Sequence, residues 1–341
     1  MSRRIHRLAP IAAVAVAGAA LAGCSSSDTS ADAAGDGPSS ITLYTSEPQE
    51  KIDAVVAAFN EENPDVTVEV FRAGTGDLTT RVASEQAAGD GIQADVFLAA
   101  DAATFEEYAA DDLLLEYAPA DIENINPDVV DPEGYYTGTR IIPTVIAYNT
   151  TMVDEPPASW QELTDSAYAD QIVMPNPDVS GAAAYNAAVW ANTPELGTEW
   201  MEQLAENSPV IADSNGPTSQ AIATGAQPVG VVVDYLVREL AEQGSPIDVS
   251  YPSEGVPYVS QPVGIFSSTD EEAVSKAFVD FLVSEEGQKL AVEQSYLPIR
   301  SDVGTPEGAP AMDDIAILSP DLETIQSTQD EAVETFRSLF L

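Results

Sequence analysis

Histidine and cysteine are almost absent from this chain of 341 residues, which contains one of each, His6 and Cys24. A serine triad needs an imidazole base, a thiol protease needs a thiolate, and a zinc site normally needs nitrogen or sulfur ligands. The sequence therefore argues against all three kinds of site. What remains for chemistry is oxygen, from carboxylates, phenols and hydroxyls, together with a small number of cations.

Positive charge is scarce as well, because 12 Lys and Arg residues stand against 57 Asp and Glu residues, for a formal net charge of −45. Such a field repels nucleic acid and anionic lipid, so neither is expected as a partner. The acids are dispersed, and no calcium loop of the DxDxDG type is present. We therefore interpret them as a solvated surface.

The N-terminus has the pattern of a lipoprotein signal. Three arginines precede an apolar stretch that closes with the run LAGC, whose last residue is Cys24. This pattern predicts a signal peptide over residues 1–23, cleavage before Cys24 and attachment of palmitate or a similar acyl chain to its sulfur. The polar segment 24–40 is interpreted as a tether. The protein is thus predicted to be exported and held at the outer face of the cell membrane, or in the periplasm, by its lipid anchor only; the general secretory and twin-arginine routes both stay open.

Strands and helices alternate after the tether. Apolar runs at 41–44, 66–71 and 94–99 are each followed by a segment of helical periodicity, and a second series starts at 141–148. This order predicts an α/β fold with parallel strands and helices on both faces. We expect two lobes with a cleft between them, the first formed by 41–143 and 261–341 and the second by 144–260.

Ligands of such sheets bind beyond the carboxyl ends of the strands. In the first lobe this rule indicates Ser46, Thr75 and Asp101, and in the second it indicates Asp234 and Tyr235, which follow the buried run 229–233. Asp101 is also placed to cap the helix that follows it.

Several motifs resemble those of the bacterial extracellular solute-binding proteins of ABC importers. They are ADVF at 94–97, SGA at 180–182, AFVDFL at 277–282, SEEGQ at 284–288 and YLPIR at 296–300. The branch that looks most similar is the ferric-iron-binding type, which also holds phosphonate and sugar-phosphate binders. The resemblance implies a two-lobed, periplasmic-binding-protein-like fold of type II. It also implies a monomeric binder without enzymatic activity or cofactor, which delivers a small solute to ABC permease subunits.

The resemblance also implies an anion cradle. Ser180, Gly181 and Ala182 match the family segment that holds the anion, and Asn215 lies near the next anion contact. The alternative interpretation is that Ser180 and Asn215 are ordinary helix N-caps. Arg140 lies near the predicted cleft, as does Arg72, and either could grip a phosphate or carboxylate or form a surface ion pair.

Ferric iron is the other ligand that the resemblance allows, as cargo and with an accompanying anion. The family's iron-binding His and Glu positions fall at Pro48 and Ala100, and only Tyr235 of the tyrosine pair is kept. Tyr148 could add a second phenolate, since ferric iron prefers anionic oxygen.

A hydrolase is the hypothesis from a different class. A lipid-anchored, glycosidase-like enzyme would use Asp77, Asp101 or Asp234 as its acid and base. No glycosidase motif is evident among these residues, so the binding protein is preferred.

Overall fold

The structure, a computed structural model, describes residues 39–89, 91–311, 314–318 and 320–341. The predicted signal peptide, Cys24 and most of the predicted tether lie outside the described residues. The first described strand begins at Ser39, so the last two residues assigned to the tether belong to the fold instead.

Eleven strands and ten α-helices form the described part of the chain. The strands are β1 (Ser39–Thr45), β2 (Val66–Arg72), β3 (Val96–Leu98), β4 (Tyr136–Gly138), β5 (Ile142–Asn149), β6 (Ile172–Pro175), β7 (Val210–Ala212), β8 (Val229–Val233), β9 (Ile247–Ser250), β10 (Tyr258–Val259) and β11 (Pro262–Ile265). The helices are α1 (Gln49–Glu62), α2 (Thr75–Ala88), α3 (Ala102–Ala110), α4 (Gly181–Ala191), α5 (Gly197–Glu206), α6 (Asn215–Ala223), α7 (Asp234–Glu242), α8 (Glu272–Val283), α9 (Glu285–Glu293) and α10 (Leu322–Phe340).

Two sheets organise these elements. The first has the order β2-β1-β3-β11-β4, and the second has the order β10-β5-β8-β6-β7, with β9 also paired to β5. Strands β1, β2 and β3 run parallel to one another, as do β6, β7 and β8. The predicted parallel order is therefore confirmed for these strands, whereas β11 and β5 run antiparallel to their neighbours, so both sheets are mixed.

Helices cover both faces of each sheet. In the first, Ile41 and Leu43 pack with α1 and α8, whereas Tyr44 faces the opposite core beneath α2 and α3. In the second, Val231 packs with α4, α5 and α10, whereas Val232 faces α6 and α7. This alternation is the period-two pattern of a strand, and it explains why apolar residues fill whole strands in sheets that are buried on both faces.

The chain crosses between the sheets twice. It leaves β4 and enters β5 through residues 139–141, and it returns from β10 to β11 through residues 260–261. The two crossings lie side by side, because the backbone amide of Thr139 donates to the carbonyl of Ser260 at 3.0 Å.

Helix α10 packs differently from its assignment to the first lobe. Its buried residues Ile325, Ala332 and Phe336 lie in the core of the second sheet, which contains Trp190 and Trp200. An apolar helical stripe shows that a helix is packed but not which sheet it meets. The lobe boundaries themselves remain a prediction. None of the helices described is both long and apolar enough to cross a membrane.

Candidate functional site

A cavity of about 710 Å³ opens where the two sets of parallel strands end. The residues that line it follow the carboxyl ends of β1, β2, β3, β6, β7 and β8, as the rule for open α/β sheets requires. The lining is completed by the first residue of β5, the last residue of β10, Gln261 of the second crossing and Tyr296 after α9. Its members are Ser46, Glu47, Pro48, Arg72, Ala73, Gly74, Thr75, Asp77, Ala100, Ile142, Val179, Ser180, Gly181, Ala182, Asp213, Ser214, Asn215, Gly216, Pro217, Val233, Tyr235, Leu236, Val259, Gln261 and Tyr296.

Five helices begin at this cavity. The residues that precede α1, α2, α4, α6 and α7 all belong to its lining, and they are Pro48, Gly74, Ser180, Ser214 and Val233. The first amide groups of a helix have no partner inside the helix, and they carry a partial positive charge. Of these five described caps, Ser180 alone accepts a hydrogen bond in its side chain, from the Ala183 amide at 3.3 Å. At the other four helix starts, no N-cap side chain accepts a hydrogen bond from the backbone amides.

The two sides of the cavity approach each other to backbone contact. A Cβ placed on Gly76, in the first turn of α2, would lie 2.2 Å from the carbonyl oxygen of Asp178 in the loop before α4. A Cβ on Gly74 would lie 2.6 Å from the carbonyl oxygen of Val179, and one on Gly181 would lie 2.7 Å from the Thr75 hydroxyl. Only glycine fits at these positions, so the structure has the starts of α2 and α4 closed against each other.

A buried carboxylate network forms another part of the lining. Glu47, only 1% exposed, accepts hydrogen bonds from Arg140 Nη1 at 3.1 Å, from the Tyr296 hydroxyl at 2.6 Å and from Gln261 Nε2 at 2.6 Å. The Arg140 guanidinium also lies over the Tyr296 ring, 4.6 Å from its centre. A buried charge is stable only when it is paired. The three contacts therefore explain how the Glu47 carboxylate can be buried next to the cavity.

Two tyrosines meet at the same place. The rings of Tyr235 and Tyr296 lie 4.4 Å apart, and Lys51 Nζ lies over both of them. Burial raises the pKa of both phenols, and the neighbouring Glu47 carboxylate raises each pKa further. Both groups are therefore held as neutral phenols.

Eight of the residues that the sequence indicates for ligand binding line the cavity. They are Ser46, Arg72, Thr75, Ser180, Gly181, Ala182, Asn215 and Tyr235. Ser180 is the N-cap of α4, but Ser214 rather than Asn215 is the N-cap of α6, so that part of the N-cap interpretation is wrong. Asn215 instead donates from Nδ2 to the Ser180 hydroxyl at 3.0 Å and accepts from the Val233 amide at 3.2 Å. It thus joins three of the strand ends.

Three predicted charged residues lie beside the cavity without lining it. Asp101 is buried and caps α3 by accepting from the Thr104 amide at 2.9 Å. Arg140 is buried against Glu47. Asp234 is buried and bonded to Arg238, one turn further along α7, at 2.5 Å. Burial raises the pKa of the Asp101 and Asp234 carboxyls, although Arg238 acts on Asp234 in the opposite direction.

Tyr148 lies at the end of the second sheet that is opposite to the cavity. Strand β5 runs antiparallel to β8, so Tyr148 pairs with Val229 at the start of β8, whereas the cavity lies at its end, Val233. Four residues of strand separate these two positions, which is roughly 13 Å. The structure does not bring Tyr148 together with Tyr235.

Glu47, Gln261 and Tyr296 are lining residues that the sequence does not indicate. Glu47 follows β1 directly after Ser46, so the strand-end rule could have included it. Gln261 and Tyr296 reach the cavity from distant parts of the chain. Tyr296 is the first residue of the YLPIR motif, but that motif indicates the family and not a position at the site.

Comparison with known proteins agrees with this architecture. The family model described as bacterial extracellular solute-binding protein matches residues 92–328. The chain belongs to this family. The binding protein is 25% identical over 281 residues, 77% of each chain, to the putative 2-aminoethylphosphonate-binding periplasmic protein of Salmonella typhimurium. The predicted family and its solute-binding activity outside the cell are therefore confirmed, and its relatives are binding proteins rather than enzymes.

Two solved structures show the same fold. AfuA from Actinobacillus pleuropneumoniae, determined with fructose-6-phosphate, superposes with a TM-score of 0.81 at 21% identity and covers 89% of this chain and 98% of its own. Iron-bound HitA from Pseudomonas aeruginosa superposes with a TM-score of 0.79 at 21% identity and covers 89% of this chain and 100% of its own. These likenesses confirm the predicted two-lobed, type II periplasmic-binding-protein fold.

Proposed function

We propose that this binding protein is the lipid-anchored receptor of an ABC importer and that it captures a small organic oxyanion, a phosphonate or a phosphate ester. The observation that carries the proposal is the meeting of five helix N-termini at one cavity, four of them without a side-chain cap. Unpaired amides at the positive end of a helix form a ready site for phosphate-like oxygens.

The closed contact between α2 and α4 supports an anion at this place. Each helix start carries a partial positive charge, and this contact brings two of them together at one side of the cavity. Arg72 adds a full positive charge, and it is the only Lys or Arg among the described lining residues. Its Nε donates to the Glu47 carbonyl at 3.1 Å, which holds the side chain at the cavity.

Bare ferric iron fits the cavity less well. Within the described residues, no group of three or more His, Cys, Asp and Glu side chains could hold a metal ion. The raised pKa values of Tyr235 and Tyr296 oppose formation of the phenolates that iron would need. Iron that enters with a synergistic anion remains the second candidate, because HitA is an iron-bound structure of the same fold.

The named relatives favour a phosphorus oxyanion. The Salmonella protein is named for 2-aminoethylphosphonate, and AfuA was determined with fructose-6-phosphate. Both compounds carry a tetrahedral oxyanion, which matches a ring of helix N-termini. A glycosidase-like mechanism gains no support, because Asp101 and Asp234 are buried and do not line the cavity, so Asp77 is the only one of the three proposed carboxylates that lines it.

Calorimetric titration of the purified mature protein tests the proposal. We expect 2-aminoethylphosphonate or fructose 6-phosphate to bind, and Ser180→Ala to weaken binding by about 1 to 3 kcal/mol, as for loss of a hydrogen bond to a charged group. Ser284→Ala is the matched control, because Ser284 caps α9 in the same way, through the Gly287 amide at 3.1 Å, but does not line the cavity. It should leave affinity unchanged.

The opposite result is equally clear. Tight uptake of ferric iron without any anion, with a visible absorption band that Tyr235→Phe removes and Ser180→Ala does not alter, would overturn the oxyanion proposal.

A further inference from the structure

Gln261 combines three unusual features at the cavity. It lies on the second crossing between the sheets, and its side chain is only 4% exposed. Its backbone has a φ of +42°, a left-handed conformation that is uncommon for residues other than glycine. Its side-chain oxygen Oε1 is buried without a hydrogen-bond partner in the described structure.

The orientation of the Gln261 amide is determined by its neighbour. Nε2 donates to Glu47 Oε2 at 2.6 Å, and because a carboxylate only accepts, the nitrogen must face Glu47 and Oε1 must point elsewhere. The backbone is tied down as well, since the Gln261 carbonyl accepts from the Thr139 hydroxyl at 2.7 Å. Hydrogen bonds therefore fix both the backbone and the side-chain nitrogen of Gln261, and Oε1 is left as an acceptor without a donor.

This combination is specific to Gln261. Other described residues also have a buried polar atom without a partner, among them Asn186 and Thr137, but none of those residues lines the cavity. Other described residues except glycine also have a positive φ, such as Ser295, and none of them lines it either. Strained backbone and unpaired polar atoms that coincide at a binding site indicate a role in function rather than in folding.

We propose that Gln261 Oε1 accepts a hydrogen bond from the solute and so selects, among phosphonates and phosphate esters, those that carry an ammonium or hydroxyl group on their carbon skeleton. This inference rests on the proposed function. The oxyanion would lie at the helix starts, and the donor group at Gln261. The Glu47 charge beside it is paired with Arg140, so a charged ammonium is not required and a neutral hydroxyl can serve.

Three probes with the same two-carbon phosphonate skeleton separate the possibilities: 2-aminoethylphosphonate, 2-hydroxyethylphosphonate and ethylphosphonate. For the wild-type mature protein, at least one donor-bearing probe should bind about tenfold or more tighter than ethylphosphonate, as expected for a buried acceptor that gains a partner. In Gln261→Met this ratio should fall to about one, because the acceptor is gone while the side-chain length is similar. Because the affinities of two probes are compared within one variant, a loss of affinity that is common to all probes does not change the ratio.

Two further variants provide a second test and a control. Gln261→Asn suits the left-handed backbone and withdraws the oxygen by one methylene, so it should also lose the ratio even if Gln261→Met fails to fold. Ser180→Ala should weaken all three probes and preserve the ratio. Equal binding of the three probes to wild type, or an unchanged ratio in the Gln261 variants, would overturn this inference and leave the proposed function standing. If none of the three probes binds, this inference is overturned, and if fructose 6-phosphate does not bind either, the proposed function is overturned as well.

Discussion

Replacing Gly76 by alanine should weaken solute binding, because the new methyl group would meet the other side of the cavity. Its Cβ would lie 2.2 Å from the Asp178 carbonyl oxygen, and contacts below 3.0 Å are essentially never seen for real Cβ atoms. The α2 start and the loop before α4 would have to separate by roughly 1 Å to restore van der Waals contact. Overpacking of this kind costs about 1 to 3 kcal/mol, which corresponds to a loss of about 5- to 150-fold in affinity if the solute binds the closed form.

Gly216→Ala is a closely matched control. Gly216 is the second residue of α6, as Gly76 is of α2, and it also lines the cavity, but its Cβ would have no atom within 4 Å. Both substitutions place a better helix former in a first turn, by up to about 1 kcal/mol, so neither should destabilise the free protein. Only Gly76→Ala should lose affinity.

Calorimetry would give the affinities, and small-angle scattering would report closure. Wild type and Gly216→Ala should show a smaller radius of gyration with saturating solute, whereas Gly76→Ala should contract less. If Gly76→Ala binds with wild-type affinity and contracts by the same amount, the contact between α2 and α4 does not belong to the solute-bound state and the reasoning is refuted.

Two further predictions concern pH and the anchor. Burial raises the pKa of Asp101, so the folded chain binds this proton more readily than the unfolded chain, and stability falls as pH rises from the ordinary aspartate range towards the raised folded value. Asp101→Asn keeps the cap but does not titrate, so the free energy of unfolding of this variant minus that of wild type, measured with urea, should increase from acidic to neutral pH. For Asp321→Asn the same difference should decrease, because hydrogen bonds from Thr324 lower the pKa of Asp321. The same trend in both variants would contradict this reasoning. Cys24→Ser should abolish incorporation of labelled palmitate, since the sequence contains no other cysteine, and retained label would disprove the predicted acylation site.

The order of elements could be predicted from the sequence because its signals are local. Strand β8 has the bounds of the predicted buried run 229–233, and the predicted cap at Asp101 is confirmed by its hydrogen bond to the Thr104 amide. An apolar run bounded by turn residues, or a carboxylate three residues before an unpaired amide, needs no information from elsewhere in the chain. Helix α5 carries a local signal of the same kind in the spacing of Trp200, Met201 and Leu204.

The chemistry of the site was harder to predict because it depends on distant pairs. Glu47 and Gln261 are 214 positions apart, and Tyr296 reaches Glu47 across 249 positions. Arg140 looked available for a ligand because cations are scarce, yet its partner is this buried carboxylate. The direction of β5 also depends on pairing with distant strands, and it places Tyr148 at the end of the sheet that is opposite to the cavity.

The acidity of the chain and an anionic solute are compatible because the two charge effects act over different ranges. Cleavage before Cys24 would leave nine Lys and Arg residues against 57 acids, but at physiological ionic strength surface charges are screened within about 8 Å. The helix N-termini act within their first turn, where the solute would lie. Inside the cavity Glu47 is paired with Arg140, and the charges of Asp77, Asp213 and Arg72 are all exposed to solvent and screened, so the uncapped amides at the helix starts act on the solute at the shortest range. The arrangement of backbone amides, rather than net charge, is what suits this cavity to an oxyanion.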